Sequence, residues 1–139
     1  MLHTTIPATE IINGNVPTQL NFDVNFNDTG IASGVRKYTI QASTARPVLL
    51  RAQCEVITAF NAGTTNVLTL GTNSTANQLL AAADITEATP AFYPQHASTG
   101  MLRITAATDI YVKYTQTGTA GTTGKAKFYL TVTPLYLGT

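Results

Sequence analysis

What most constrains the fold of this chain is a two-residue alternation of apolar and polar side chains that recurs in one segment after another. Leu20, Phe22, Val24 and Phe26 share one parity, while Asn21, Asp23, Asn25 and Asn27 share the other. Tyr38, Ile40 and Ala42 repeat the pattern, as do Val48, Leu50, Ala52, Cys54 and Val56, and again Ala126, Phe128, Leu130 and Val132. Side chains of a strand point alternately to its two faces. Each segment therefore reads as a strand with one buried and one wet face, the signature of antiparallel sheets packed on a single core.

The length of 139 residues suits one domain with a core that needs no staples. Charged residues make up 11%, less than half of the roughly 25% usual in globular domains. Threonine, at about a fifth of the chain, takes their place, and its β-branch favours the pleated backbone. The net charge of +1 gives no electrostatic footprint for nucleic acid or an anionic membrane. No apolar run approaches the ~20 residues of a membrane-spanning helix, and no secretory signal is expected at the start. A lone cysteine, Cys54, sits at inward parity and reads as a small buried hydrophobe. A chain without a disulfide points to folding in a reducing cytoplasm.

Residues 1–19 stand apart. They have no clean period, and Pro7 and Pro17 argue against a central strand. Ile6, Ile11, Ile12 and Val16 are nevertheless too apolar for a solvated tail. An extended N-terminal arm lying on its own domain or on a neighbour accounts for both observations; a frayed terminus is the other reading. Residues 20–139 are then a β-sandwich domain. Strands are expected at 20–26, 35–42, 48–60, 66–71, 101–106, 109–117 and 125–133, with a hairpin loop at Asn61-Ala62-Gly63-Thr64-Thr65. The stretch 76–85 has helical propensity and predicts about two turns of helix. Beyond Pro134 lies a short apolar tail, Leu135, Tyr136 and Leu137. About eight antiparallel strands without crossover helices predict an all-β, jelly-roll-like sandwich with one short helix.

Chemistry is hard to find. No serine sits in a nucleophile elbow, and the two histidines, His3 and His96, read as surface residues in an arm and a Pro-flanked loop. One cysteine and two distant histidines do not make a zinc site. The stretch Asp23-Val24-Asn25-Phe26-Asn27-Asp28 begins like a calcium loop, yet Asp28 stands where glycine is needed and Gly34 where glutamate is needed. The acids Glu10, Asp23, Asp28, Glu55, Asp84, Glu87 and Asp109 are scattered singly, unlike the paired carboxylates of a glycosidase. The basic residues lie mostly at outward parity and read as a solvated face that guards sheet edges. Sequons at Asn27-Asp28-Thr29 and Asn73-Ser74-Thr75 are chance matches in a Thr/Asn-rich chain. No enzyme activity, cofactor or metal is expected.

Two stretches carry a family resemblance. One is Ile57-Thr58-Ala59-Phe60-Asn61-Ala62-Gly63-Thr64-Thr65-Asn66-Val67-Leu68-Thr69-Leu70-Gly71-Thr72, followed by Asn77-Gln78-Leu79-Leu80 and Ala83-Asp84-Ile85. The other is Thr117-Gly118-Thr119-Ala120-Gly121-Thr122-Thr123-Gly124, leading into Lys125-Ala126-Lys127-Phe128-Tyr129-Leu130-Thr131-Val132. Together, a little under half the chain resembles small β-sandwich virion proteins of tailed bacteriophages, of the capsid cement or decoration type. The resemblance implies a homotrimer that binds the major capsid protein between capsomers on the outer surface of the phage head. It implies no nucleic acid, membrane or small-molecule partner.

Under that reading, the partner-binding residues are expected in the arm and tail: Ile6, Ile11, Ile12, Val16, Leu135, Tyr136 and Leu137. A tail or baseplate component is one alternative. Another is a jelly roll that recognises host glycans through Phe92-Tyr93-Pro94 and His96, which requires an exposed aromatic platform.

Overall fold

The computed structural model describes residues 10–93 and 101–135. Nine strands lie among them: β1 (Glu10–Asn13), β2 (Thr18–Asn25), β3 (Val35–Gln41), β4 (Val48–Thr58), β5 (Thr65–Gly71), β6 (Ala91–Tyr93), β7 (Met101–Ile104), β8 (Thr108–Thr117) and β9 (Lys125–Pro134). They form a four-stranded sheet in the order β1-β3-β8-β5. The second sheet has five strands in the order β2-β9-β4-β6, with β7 also pairing β4. Chain-distant strands are neighbours in both: β9 runs between β2 and β4, and β8 between β3 and β5. This is the wrapped, all-antiparallel connectivity of a jelly roll, with β1 added in parallel along β3.

The alternating residues meet where the two sheets face each other. Val48, Leu50, Ala52, Cys54 and Val56 from β4 and Ala126, Phe128, Leu130 and Val132 from β9 are buried against Ile40, Leu68, Leu70, Ile110, Val112 and Tyr114 of the other sheet. Burying a side chain of the Leu, Val or Phe class is worth about 1.5–3 kcal/mol. Aromatic pairs bridge the layers at two places. Phe22 stacks on Phe128 with ring centroids 5.4 Å apart and meets Tyr38 edge-on at 5.9 Å, while Phe60 packs on Tyr114 at 4.8 Å. Gly124 sits at φ +149, and a Cβ there would overlap the Phe60 ring, so the turn into β9 demands glycine.

Three local features differ from the sequence reading. The loop 61–65 does not close a hairpin: it carries the chain from β4 in the five-stranded sheet to β5 in the four-stranded sheet, where β5 pairs with β8. The stretch 76–85 is not two turns of helix: only a 3₁₀ turn, Ala82–Asp84, forms. Its apolar residues are taken by the core instead. Leu79 and Leu80 are fully buried, and Leu80 bridges Leu70 at the edge of β5. Tertiary burial outweighs a propensity difference of a few tenths of a kcal/mol per residue. In the region read as an arm, Glu10–Asn13 pairs with Tyr38–Gln41 of its own domain, and β2 already begins at Thr18.

Candidate functional site

The carboxylates described in the structure hold the fold together and do not converge. Asp28 accepts from the Asn25 amide at 2.8 Å, Asp84 from the Ala81 amide at 2.8 Å, and Asp109 from the Thr39 hydroxyl at 2.6 Å. Asp23 lies 3.8 Å from Lys125 and 3.7 Å from Lys127. Glu87, only 8% exposed, accepts from the Leu68 amide at 2.8 Å, while its own carbonyl accepts from the Phe60 amide at 3.0 Å. Burial pushes its carboxyl above the usual carboxylate range, against the lowering effect of the backbone hydrogen bonds. Among the described residues, no group of three or more His, Cys, Asp or Glu is arranged to hold a metal. Cys54 is buried, and desolvation, reinforced by the charges of Glu87 and Glu55, pushes its thiol up to about 12. His3 and His96 lie outside the described residues.

The surfaces are more informative. Of the expected arm and tail contacts, Ile12 is buried in the core opposite Ile40, whereas Ile11 and Val16 are 65% and 51% exposed. Leu135 is half-buried and its amide donates to the Pro47 carbonyl at 2.9 Å. Gly14 packs on Val48 and Gln41 so tightly that a Cβ would overlap the Gln41 carbonyl. The arm residues and Leu135 thus converge on the same end of the sandwich, beside a polar cleft lined by Asn13, Asn15, Gln41, Ser43 and Arg46. Ile6, Tyr136 and Leu137 lie outside the described residues.

A second surface was only half legible in the sequence. On the outer face of the five-stranded sheet, Phe92 of β6 is 52% exposed and its ring centroid lies 6.1 Å from that of Tyr129 on β9. Glu55 of β4 stands in register with Phe92 and accepts from the Tyr129 hydroxyl at 3.0 Å. That hydrogen bond, ahead of burial, raises the Tyr129 phenol above its ordinary value. Tyr93, next to Phe92, anchors the strand: its hydroxyl lies 2.9 Å from the Thr86 carbonyl and 2.7 Å from that of Thr89. Outward parity marks Glu55 and Tyr129 in the sequence, but nothing local says that strands so far apart in the chain are neighbours with β6.

The remaining end of the molecule is an uncharged, tightly bonded loop cluster. Asn61 accepts from the amides of Thr122 and Thr123 at 2.7 and 3.0 Å, and Gln116 accepts from the Gly121 amide at 2.7 Å.

No protein-family model matches the chain, and no curated protein matches it. Two solved structures are similar. One is a chain of the cyanophage Pam1 capsid asymmetric unit, with a TM-score of 0.58, 16% sequence identity, and 84% of each chain covered. The other is the periplasmic lysozyme inhibitor PliG of Aeromonas hydrophila, with a TM-score of 0.32, 11% identity, and 90% of this chain and 99% of that chain covered. The Pam1 likeness extends over most of both chains and is a likeness of fold.

Proposed function

We propose that this chain is a structural virion protein of a tailed bacteriophage, serving as a capsid cement or decoration protein on the outer surface of the head. The observation that carries this reading is the fold shared with a chain of the Pam1 capsid asymmetric unit over 84% of both lengths. Its partners are further copies of itself, as a homotrimer, and the major capsid protein. The role in this reading is mechanical, and the carboxylates of Asp23, Asp28, Asp84, Glu87 and Asp109 are engaged in hydrogen bonds or ion pairs within the fold. Ile11 and Val16 in the arm segment supply exposed apolar contacts beside the converging tail. Symmetric repetition multiplies modest contacts through effective concentration, so no single contact needs to be strong.

The test is reconstitution. The purified chain, mixed with expanded capsids, is expected to co-sediment with them, to run as a trimer alone, and to raise their disruption temperature. Replacing Ile11 and Val16 by Ser is expected to weaken that binding without lowering the thermal midpoint of the isolated chain. Indifference to capsids overturns the cement reading, and decoration of the tail tip in labelled particles would move the protein to the tail or baseplate.

A further inference from the structure

We propose that Glu87 is a proton-controlled latch that closes the turn 86–89 over the free edge of β5. β5 ends the four-stranded sheet, so its side away from β8 has no neighbouring strand among the described residues. Cover comes instead from the segment that follows it. The Leu70 amide donates to the Leu80 carbonyl at 3.0 Å, and the Leu68 amide donates to the Glu87 carboxylate at 2.8 Å. A backbone carbonyl fills the first position and an ionisable side chain the second. The Glu87 carbonyl accepts in turn from the Phe60 amide at 3.0 Å, just beyond the end of β4. One residue thus spans the passage of the chain between the two sheets, bonded before it at Phe60 and after it at Leu68.

The surroundings let this turn move without the rest of the fold. Ile85 before it is buried, but Thr86, Ala88, Thr89 and Pro90 are exposed, and Glu87 is the one buried side chain between Ile85 and β6. Lifting the turn therefore takes no apolar side chain out of the core, which is the condition for a segment that opens locally. Tyr93 holds the turn in shape from its far side, its hydroxyl donating to the Thr86 and Thr89 carbonyls. Charge sets the balance between closed and open. The titratable groups that feel Glu87 are Cys54 of β4 and Tyr114 of β8, both neutral across the acid and neutral range. Among the described residues Glu87 has no ion-pair partner. A buried carboxylate without a counter-charge is disfavoured, and burial accordingly raises its pKa. The open turn returns the carboxyl to water and to its ordinary pKa, about 4.3. Opening therefore becomes easier as pH rises from there through the folded value, and levels off above it. An edge strand stripped of its cover is a template for pairing with another strand, so the protonation of one carboxyl sets how often β5 is available. This inference is independent of the capsid reading, because it concerns the isolated chain.

Native-state hydrogen exchange of the full chain, read amide by amide in NMR and corrected for the intrinsic rate at each pH, tests the latch. The Phe60 and Leu68 amides are expected to exchange through a cheaper opening than the Leu70 amide, one that low urea does not promote. From about pH 4 to about pH 8, their protection is expected to fall together, by about tenfold in total for each unit by which burial has raised the carboxyl. Glu87→Gln, neutral at every pH, is expected to hold both amides at constant protection over the same range. Three results overturn the proposal: Leu68 exchanging only with Leu70 and with the same urea dependence, protection of Leu68 that ignores pH, or a pH dependence that survives Glu87→Gln. Should Glu87→Gln lose its dispersed spectrum, the first two comparisons in the wild type decide alone.

Discussion

Glu87 shows how one residue can be held and taxed at once. Its carboxylate satisfies the Leu68 amide at the edge of β5, yet burial raises its folded pKa above the unfolded value. A carboxyl shifted upward contributes stability that is fully present below its unfolded pKa, about 4.3, and is lost as pH rises through the folded value. The contribution of this group to stability should therefore grow as the pH is lowered through its folded pKa. Glu87→Gln keeps an acceptor for Leu68 and removes the charge. It is expected to raise Tm at pH 7 by about 4 °C, the equivalent of about 1 kcal/mol, and to flatten that pH dependence in thermal unfolding followed by circular dichroism. Glu87→Ala strands the Leu68 amide instead and is expected to cost about 1–3 kcal/mol. A second residue-scale prediction concerns Cys54. Held near 12 and fully buried, its thiol stays protonated at neutral pH. Labelling by an aromatic disulfide reagent should be absent in the native state and should proceed at the rate of global unfolding measured in the same denaturant.

At the scale of elements, the short strand β1 is secured by one side chain. Ile12 enters the core beside Ile40, while Ile11 faces water. Ile12→Ala is expected to destabilise the fold by about 2–4 kcal/mol, and Ile11→Ala to stay within about 0.5 kcal/mol; urea unfolding of the two variants separates them. The strands that alternate cleanly were readable from sequence to within about two residues. The elements that escaped are those whose cause is not local. Glu10–Asn13 has no period of its own and becomes a strand only because β3 offers it an edge. Ala91–Tyr93 is too short to show a pattern and exists through its pairing with Cys54–Val56. The helical signal of 76–85 was real as propensity but lost to the pull of the core on Leu79 and Leu80. The surface around Phe92 was half readable for the same reason. Phe92 was visible as an aromatic in a Pro-flanked segment, whereas Tyr129 and Glu55 looked like any outward residues until the register placed them beside it. Glu87 read as one of several singly scattered acids, since nothing in its neighbours announces that it folds under to meet Leu68.

At the scale of the whole molecule, nearly every pairing is long-range. Thr18–Asn25 pairs with Lys125–Val132, and Val48–Thr58 with Lys125–Pro134. Closing such loops before any contact offsets the lost entropy makes folding slow for the chain's size, and refolding from denaturant is expected on the millisecond-to-second scale. Stopped-flow fluorescence of the tyrosines measures it, and a microsecond rate would contradict the topology.

The placement of β9 between β2 and β4 has a consequence for how the protein is made. Among the described strands, the seam strand of the five-stranded sheet is the last to leave the ribosome, so β2 and β4 have no shared neighbour to zip onto until it emerges. Until residues 125–134 emerge, the apolar faces of both strands stay open to chaperones, and the sheet cannot close before then.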